Sequence, residues 1–328
     1  MNKISVAQLS ALLISCDAFA LICLTSSLTL TSLLGFTIGT VIQFIIAIPA
    51  LFCISKGEKI TSSVANRWIY LIYSLVWGGL ILIRIWHTSE VIYIPLESEF
   101  GEKLLITALV CAACLYIAST GLKALARSAV IIGGFGIICL IIIILGALGK
   151  ADISHIKSGN RSLADEIFTG LTMSGSFGTF ILLAENINYK KIKLSALYFL
   201  IRAVFVAIVG GISILVAGRI KSQFPIITAV ELSQPIKSQR IDAVFILIFV
   251  VLAIVSLALQ TIVSSQLIQK VFPKFAKFRY TSALILITLM GLSLSNTNLY
   301  SSFYAVIFII AYLVPTLITL TKQKGEYK

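Results

Sequence analysis

The chain has 328 residues, of which 59% are hydrophobic and only 12% charged. With a mean hydropathy of +1.04 it is excluded from the ordinary soluble domains, in which apolar and charged residues run at about 45–50% and about 25%. The net charge of +13 does not mark a nucleic-acid binder, because the Lys and Arg residues fall in short stretches between apolar runs and form no basic patch with stacking aromatics.

Ten apolar runs are long enough to cross a bilayer, at about 6–30, 36–54, 68–92, 103–119, 126–148, 165–186, 194–217, 243–268, 280–294 and 301–320. No polar block between them is large enough to fold separately, so residues 1–328 are read as one transmembrane domain. The start, with Lys3, an apolar run and Ala18-Phe19-Ala20, superficially resembles a signal peptide. Asp17 just before that triplet, and nine further spans, favour a retained first helix.

The loops test the count. Assigning alternate loops to one side gives sixteen basic residues against Glu58 and Glu326 on the face that carries the termini, and eight basic against eight acidic residues on the other. By the positive-inside rule both termini are cytoplasmic. Ten spans with both ends inside divide into two halves of opposite orientation, about 1–150 and 151–328. This is the inverted repeat of many secondary transporters.

In such a repeat the first span corresponds to the sixth, and the sixth is visibly interrupted. Gly170 to Glu185 is apolar but is broken by Ser174-Gly175-Ser176-Phe177-Gly178. In hydrocarbon every backbone N–H and C=O needs a partner, so unwound backbone there must face protein, water or a ligand. Close packing through small residues is the competing explanation. The first span is expected to be interrupted too, at Ser15-Cys16-Asp17-Ala18, where Asp17 places a carboxylate near the centre. An acid at that depth costs about 2.5–3.5 kcal/mol on insertion scales and normally faces a cavity or a partner. A neutral Asp17 bonded to a neighbouring helix is the alternative.

The third span contributes Gly78 and Gly79 near its middle and Arg84 farther out. Arg84 suits either a ligand carboxylate or a snorkelling or paired structural role. In the eighth span Ser256, Gln260 and Ser264 recur every four residues as one polar stripe, a pattern common in interhelical hydrogen bonding. Glu185 and Arg202 are placed near cytoplasmic span ends, with no special role. Between Pro225 and Pro235 an apolar, helix-prone segment is expected to lie at the outer interface or to cap the cavity. Gly133-Gly134-Phe135-Gly136 sits inside a span and is read as helix packing. The six cysteines lie within apolar segments, where a thiol acts as a small hydrophobe, and the two histidines are far apart in sequence. No nucleophile–base pair, phosphate-cradling loop or metal cluster is apparent; no cofactor and no enzymatic activity are expected.

Three stretches, GLKALARSAVII (121–132), FGTFILLAENINYKKIK (177–193) and QRIDAVFILIFVV (239–251), resemble the membrane-embedded B subunits of spore nutrient-germinant receptors, in the amino acid-polyamine-organocation superfamily. With the ten-span layout the resemblance covers nearly the whole chain. It implies an all-α polytopic membrane protein of ten transmembrane helices, a five-plus-five inverted repeat with broken first and sixth helices. It also implies partnership with receptor A and C subunits in the spore inner membrane, and a small nutrient such as an amino acid held at the midplane. Carried over by position, the ligand residues are Ser15, Cys16, Asp17 and Ala18 with Ser174, Gly175, Ser176, Phe177 and Gly178. Gly78, Gly79, Arg84, Ser256 and Gln260 would line the pocket. Relatives commonly have glycine in the first break, where this chain has Cys16-Asp17-Ala18. A secondary amino acid transporter coupled to protons or sodium needs the same pocket and stands as the alternative.

Overall fold

The computed structural model describes residues 4–24, 28–57, 59–92, 100–156, 159, 161–173, 176–184, 187, 191–218, 224–233, 241–295 and 301–326. Its elements are helices α1 (Val6–Ile22), α2 (Leu30–Ser55), α3 (Val64–Ile92), α4 (Phe100–Thr120), α5 (Leu122–Leu148), α6 (Leu163–Thr172), α7 (Ser176–Ala184), α8 (Lys191–Ala217), α9 (Pro225–Leu232), α10 (Ile241–Val271), α11 (Arg279–Ser295) and α12 (Ser301–Glu326), with three short 3₁₀ turns. Each apolar run read from the sequence contains a helix, and the sixth contains two, α6 and α7. Among the described residues six helices, α2, α3, α4, α5, α8 and α10, are long and apolar enough to span a bilayer; α1, α11 and residues Val306–Thr321 of α12 are shorter apolar helices. The segment after Pro225 forms α9, with proline in its first turn, where the missing N–H costs nothing.

The first span differs from expectation in two respects. Helix α1 opens with a capping box between Ser5 and Gln8 and continues without a break through Ser15–Ala18 to Ile22. None of those four residues is Gly or Pro, and the Ser15 hydroxyl bonds back to the Ala11 carbonyl at 2.8 Å, leaving the helix intact. The helix then stops earlier than the expected 30. The Cys23 N–H closes onto the Phe19 and Leu21 carbonyls, and Thr29 opens α2 by accepting from the Ser32 N–H at 3.2 Å. Hydroxyl capping ended the run where hydropathy did not.

Helices α3 and α10 are mostly buried at the centre of the bundle, whereas α5 lies almost wholly on its periphery. Two glycine seams set the closest approaches. Along α2 and α6, a Cβ on Gly39 would lie 3.0 Å from the Gly170 carbonyl carbon, and one on Gly35 2.5 Å from the Glu166 Cβ. Between α3 and α11, a Cβ on Gly79 would lie 2.8 Å from the Gly291 nitrogen, and Gly78 meets the Ile287 side chain. Gly79 therefore lets the α3 and α11 backbones approach, and Gly78 makes room for the Ile287 side chain.

Candidate functional site

The interrupted span raises a problem of hydrogen bonding, because the last carbonyls of α6 have no helical partners. Two long polar side chains meet this need. Gln43 on α2 donates from Nε2 to the Leu171 carbonyl at 2.7 Å, and Arg84 on α3 donates from Nη1 to the Met173 carbonyl at 2.9 Å. A guanidinium at the C-terminal end of a half-helix also meets the negative end of its dipole. Arg84 thus supports the break itself.

At the other side of the break Ser176 is the first residue of α7. Its hydroxyl donates to Asp17 Oδ1 at 2.6 Å, which brings the carboxylate to the positive end of that half-helix. The second carboxylate oxygen accepts from the Tyr198 hydroxyl of α8 at 2.8 Å, and the Ser176 and Tyr198 oxygens lie 2.8 Å apart. One turn farther along α8, Arg202 Nε lies 3.6 Å from Asp17 Oδ1. Arg202 also donates from Nη1 to Gln43 Oε1, while its Nη2 has no hydrogen-bond partner among the described residues. Asp17 and Arg202 are both 0% exposed. An unbroken polar chain therefore runs from the end of α6 through Gln43, Arg202 and Asp17 to the start of α7.

Packing fixes the donors. The Tyr198 ring stacks on Phe180 at 5.4 Å, tilted by 15°. Gly178 admits Tyr73: a Cβ there would lie 2.1 Å from the Tyr73 Cε1 atom. Gln260 on α10 donates to the Thr179 hydroxyl at 3.1 Å and holds α7 against the buried face of α10.

The residues expected at the first break separate because α1 stays helical, and successive side chains turn by about 100° around the axis. Asp17 faces α7 and α8. The Cys16 thiol lies against Ser256 on α10, whose hydroxyl bonds back to the Leu252 carbonyl at 2.8 Å. Ser15 and Ala18 point to a separate apolar cavity. Of the second break, Ser176 reaches Asp17 and Gly178 makes the aromatic contact; Ser174 and Gly175 lie outside the described residues, as does the side chain of Phe177.

Sequence reasoning missed Gln43, Tyr198 and Arg202. It placed Arg202 near a cytoplasmic end, whereas eleven residues of α8 precede it, about 16 Å of helix at 1.5 Å per residue. The signal was present: Tyr198 and Arg202 stand four apart on one helix face, at the depth of Asp17.

A helical bundle of this kind, with one span discontinuous and charged side chains buried at its break, has the architecture of a secondary transporter. The comparisons agree. The structure is similar to Mhp1, a nucleobase-cation-symport-1 family transporter in a closed conformation with bromovinylhydantoin bound. The TM-score is 0.60 at 14% identity, over 94% of this chain and 75% of that one. At this identity the likeness bears on fold alone. The family model described as spore germination protein matches residues 58–301, and the chain belongs to that family. Arg84, Ser176, Tyr198 and Arg202 fall inside the matched stretch; Asp17 and Gln43 precede it. No curated protein matches.

Proposed function

We propose that this chain is the nutrient-sensing, transporter-like subunit of a spore germination receptor, and that it binds an amino acid at the Asp17–Arg202 site. The observation that carries this reading is the buried acid–base pair beside the N-terminal end of α7. Asp17 and Gln43 come from the first half of the chain, Ser176, Tyr198 and Arg202 from the second, so the network ties the two repeats together. A zwitterionic amino acid carries the matching charges, an ammonium for Asp17 and a carboxylate for Arg202 or the end of α7. Exchange of the internal pair for the ligand would loosen the tie and favour a second arrangement of the bundle, which A and C subunits in the spore inner membrane would read. Such a shift extends only as far as the ligand's differential affinity for the two states. Both termini lie in the cytoplasm in this scheme, and all ten segments cross the bilayer.

The test is the germination dose-response of spores carrying the wild-type chain or Asp17→Asn, measured against single amino acids, with membrane insertion checked in parallel. We expect the response to one amino acid to shift while insertion is unchanged. An unaltered response in correctly inserted protein would remove Asp17 from the pocket.

A second reading, an amino acid transporter coupled to protons or sodium, has its own supporting observation. Ser176, Tyr198 and Asp17 form three oxygen–oxygen contacts of 2.6–2.8 Å, and the two hydroxyls supply two protons. One proton taken up by Asp17 would complete the ring, as a coupling site requires. Amino acid uptake into proteoliposomes that collapses with the proton gradient would establish this reading and count against a purely sensing role.

A further inference from the structure

Away from the polar network, a cavity of about 460 Å³ lies between α1, α5, α8 and α10, with α9 over its outer end. Its wall runs from Ser10 to Ile22 on α1 and from Ile201 to Ser213 on α8, a rise of twelve residues on each, about 18 Å at 1.5 Å per residue. The cavity is therefore a slot parallel to the helices, within the hydrocarbon layer. Val130 and Ile137 of α5 and Ile201 of α8 line the slot and are also 43%, 62% and 39% exposed. The mouth thus lies between α5 and α8 and opens sideways, toward lipid.

The glycines of α5 make this slot. Gly133, Gly134 and Gly136 all line it; a Cβ on Gly134 or Gly136 would meet nothing within 4 Å, and one on Gly133 only the Ala11 Cβ at 4.0 Å. They are not the helix-packing glycines that the sequence suggested. Bare backbone here leaves room for something else.

The chemistry of the lining selects the occupant. Ser15 and Ser213 spend their hydroxyls on their own helices, bonding to the Ala11 and Val209 carbonyls at 2.8 Å, so a zwitterion in the slot would leave both its charges unmatched. A hydrocarbon chain, narrow and apolar, suits both shape and surroundings. The inner end adds polarity. The Ser10 hydroxyl is buried without a hydrogen-bond partner among the described residues, and Arg127, exposed to solvent, lies one turn before Val130.

We propose that this slot binds one acyl chain of an inner-leaflet anionic phospholipid, with its ester region at Ser10 and its headgroup at Arg127. The site is separate from the Asp17 network and its occupation does not depend on the nutrient. The test uses the full-length chain in nanodiscs containing phosphatidylglycerol with a photoactivatable diazirine near the acyl terminus, followed by peptide mapping. Adducts are expected on slot residues such as Ile14, Gly134 and Val209, in addition to those on outward-facing residues such as Phe135 and Ile138. Gly134→Phe, which has open space to enter, should lower the slot adducts about tenfold and leave the outer ones unchanged. Ile212→Trp should do the same from the opposite wall. Arg127→Gln should remove a preference for phosphatidylglycerol over phosphatidylcholine. Labelling confined to outward faces, or slot labelling unaffected by either filling variant, would overturn the proposal. Labelling by a free fatty acid bearing the same diazirine, but not by the phospholipid, would overturn the phospholipid assignment.

Discussion

Removing the guanidinium of Arg202 isolates the contribution of the buried pair. In Arg202→Met the side chain keeps much of its length and loses its charge, while Asp17 retains its hydroxyl donors. At 3.6 Å the gross attraction between unit charges is about 4.6 kcal/mol for an effective dielectric constant of about 20. Removing one partner of a buried pair typically costs about 3–5 kcal/mol, because the other charge is stranded. Arg202→Met and Asp17→Asn should each destabilise the protein by about 3 kcal/mol or more, and the double variant by little more than the worse single one. Stability is measured by SDS titration in mixed micelles, followed by tryptophan fluorescence and far-ultraviolet circular dichroism. The four proteins form a double-mutant cycle, with an expected coupling of about 2–3 kcal/mol. Additive effects, with a coupling below about 0.5 kcal/mol, would show that the pair is close but not energetically joined, and the exchange mechanism would fail.

Tyr198→Phe removes the donor to Asp17 Oδ2 while retaining the stacked ring; it should cost about 1.5–3 kcal/mol, the range for hydrogen bonds to charged groups, in the same titration. Gly178→Ala should be as damaging as a much larger core substitution, because its Cβ would lie 2.1 Å from Tyr73. Combining it with Tyr73→Leu should recover part of the loss, and thermal unfolding in detergent would reveal the recovery or its absence. Arg84→Leu leaves the Met173 carbonyl without this donor, at a cost of about 1–3 kcal/mol. Hydrogen exchange should then increase around the end of α6 and remain unchanged in α10.

Much of the scaffold was legible because bilayer thickness imposes a length on each apolar run, and Gly and Ser mid-span interrupt one visibly. Asp17 was legible for a similar reason: an acid deep in an apolar span needs partners, and here it has three. Its partners were harder to find. Arg202 was counted from the basic loop that precedes it, and side-chain depth depends on where the helix starts. The break expected at Ser15–Ala18 came from repeat symmetry and not from local chemistry; those residues carry no helix breaker, and α1 runs through them. Gly133, Gly134 and Gly136 show the opposite limit, since sequence alone does not distinguish a glycine that admits a neighbour from one that leaves a space.

The seam between α2 and α6 has a mechanical consequence. With Gly39 against Gly170 and Gly35 against Glu166, these helices touch backbone to backbone, and Gln43 bolts the end of α6 to α2. Such a joint has no clearance for sliding, so α2 and α6 travel as one rigid strut. Across the break, α7 is fastened instead to α1, α8 and α10 through Asp17, Tyr198 and Gln260. The two halves of a single span are thus held by the side chains of different neighbours, and Arg202, hydrogen-bonded to Gln43 and ion-paired with Asp17, joins the two sets.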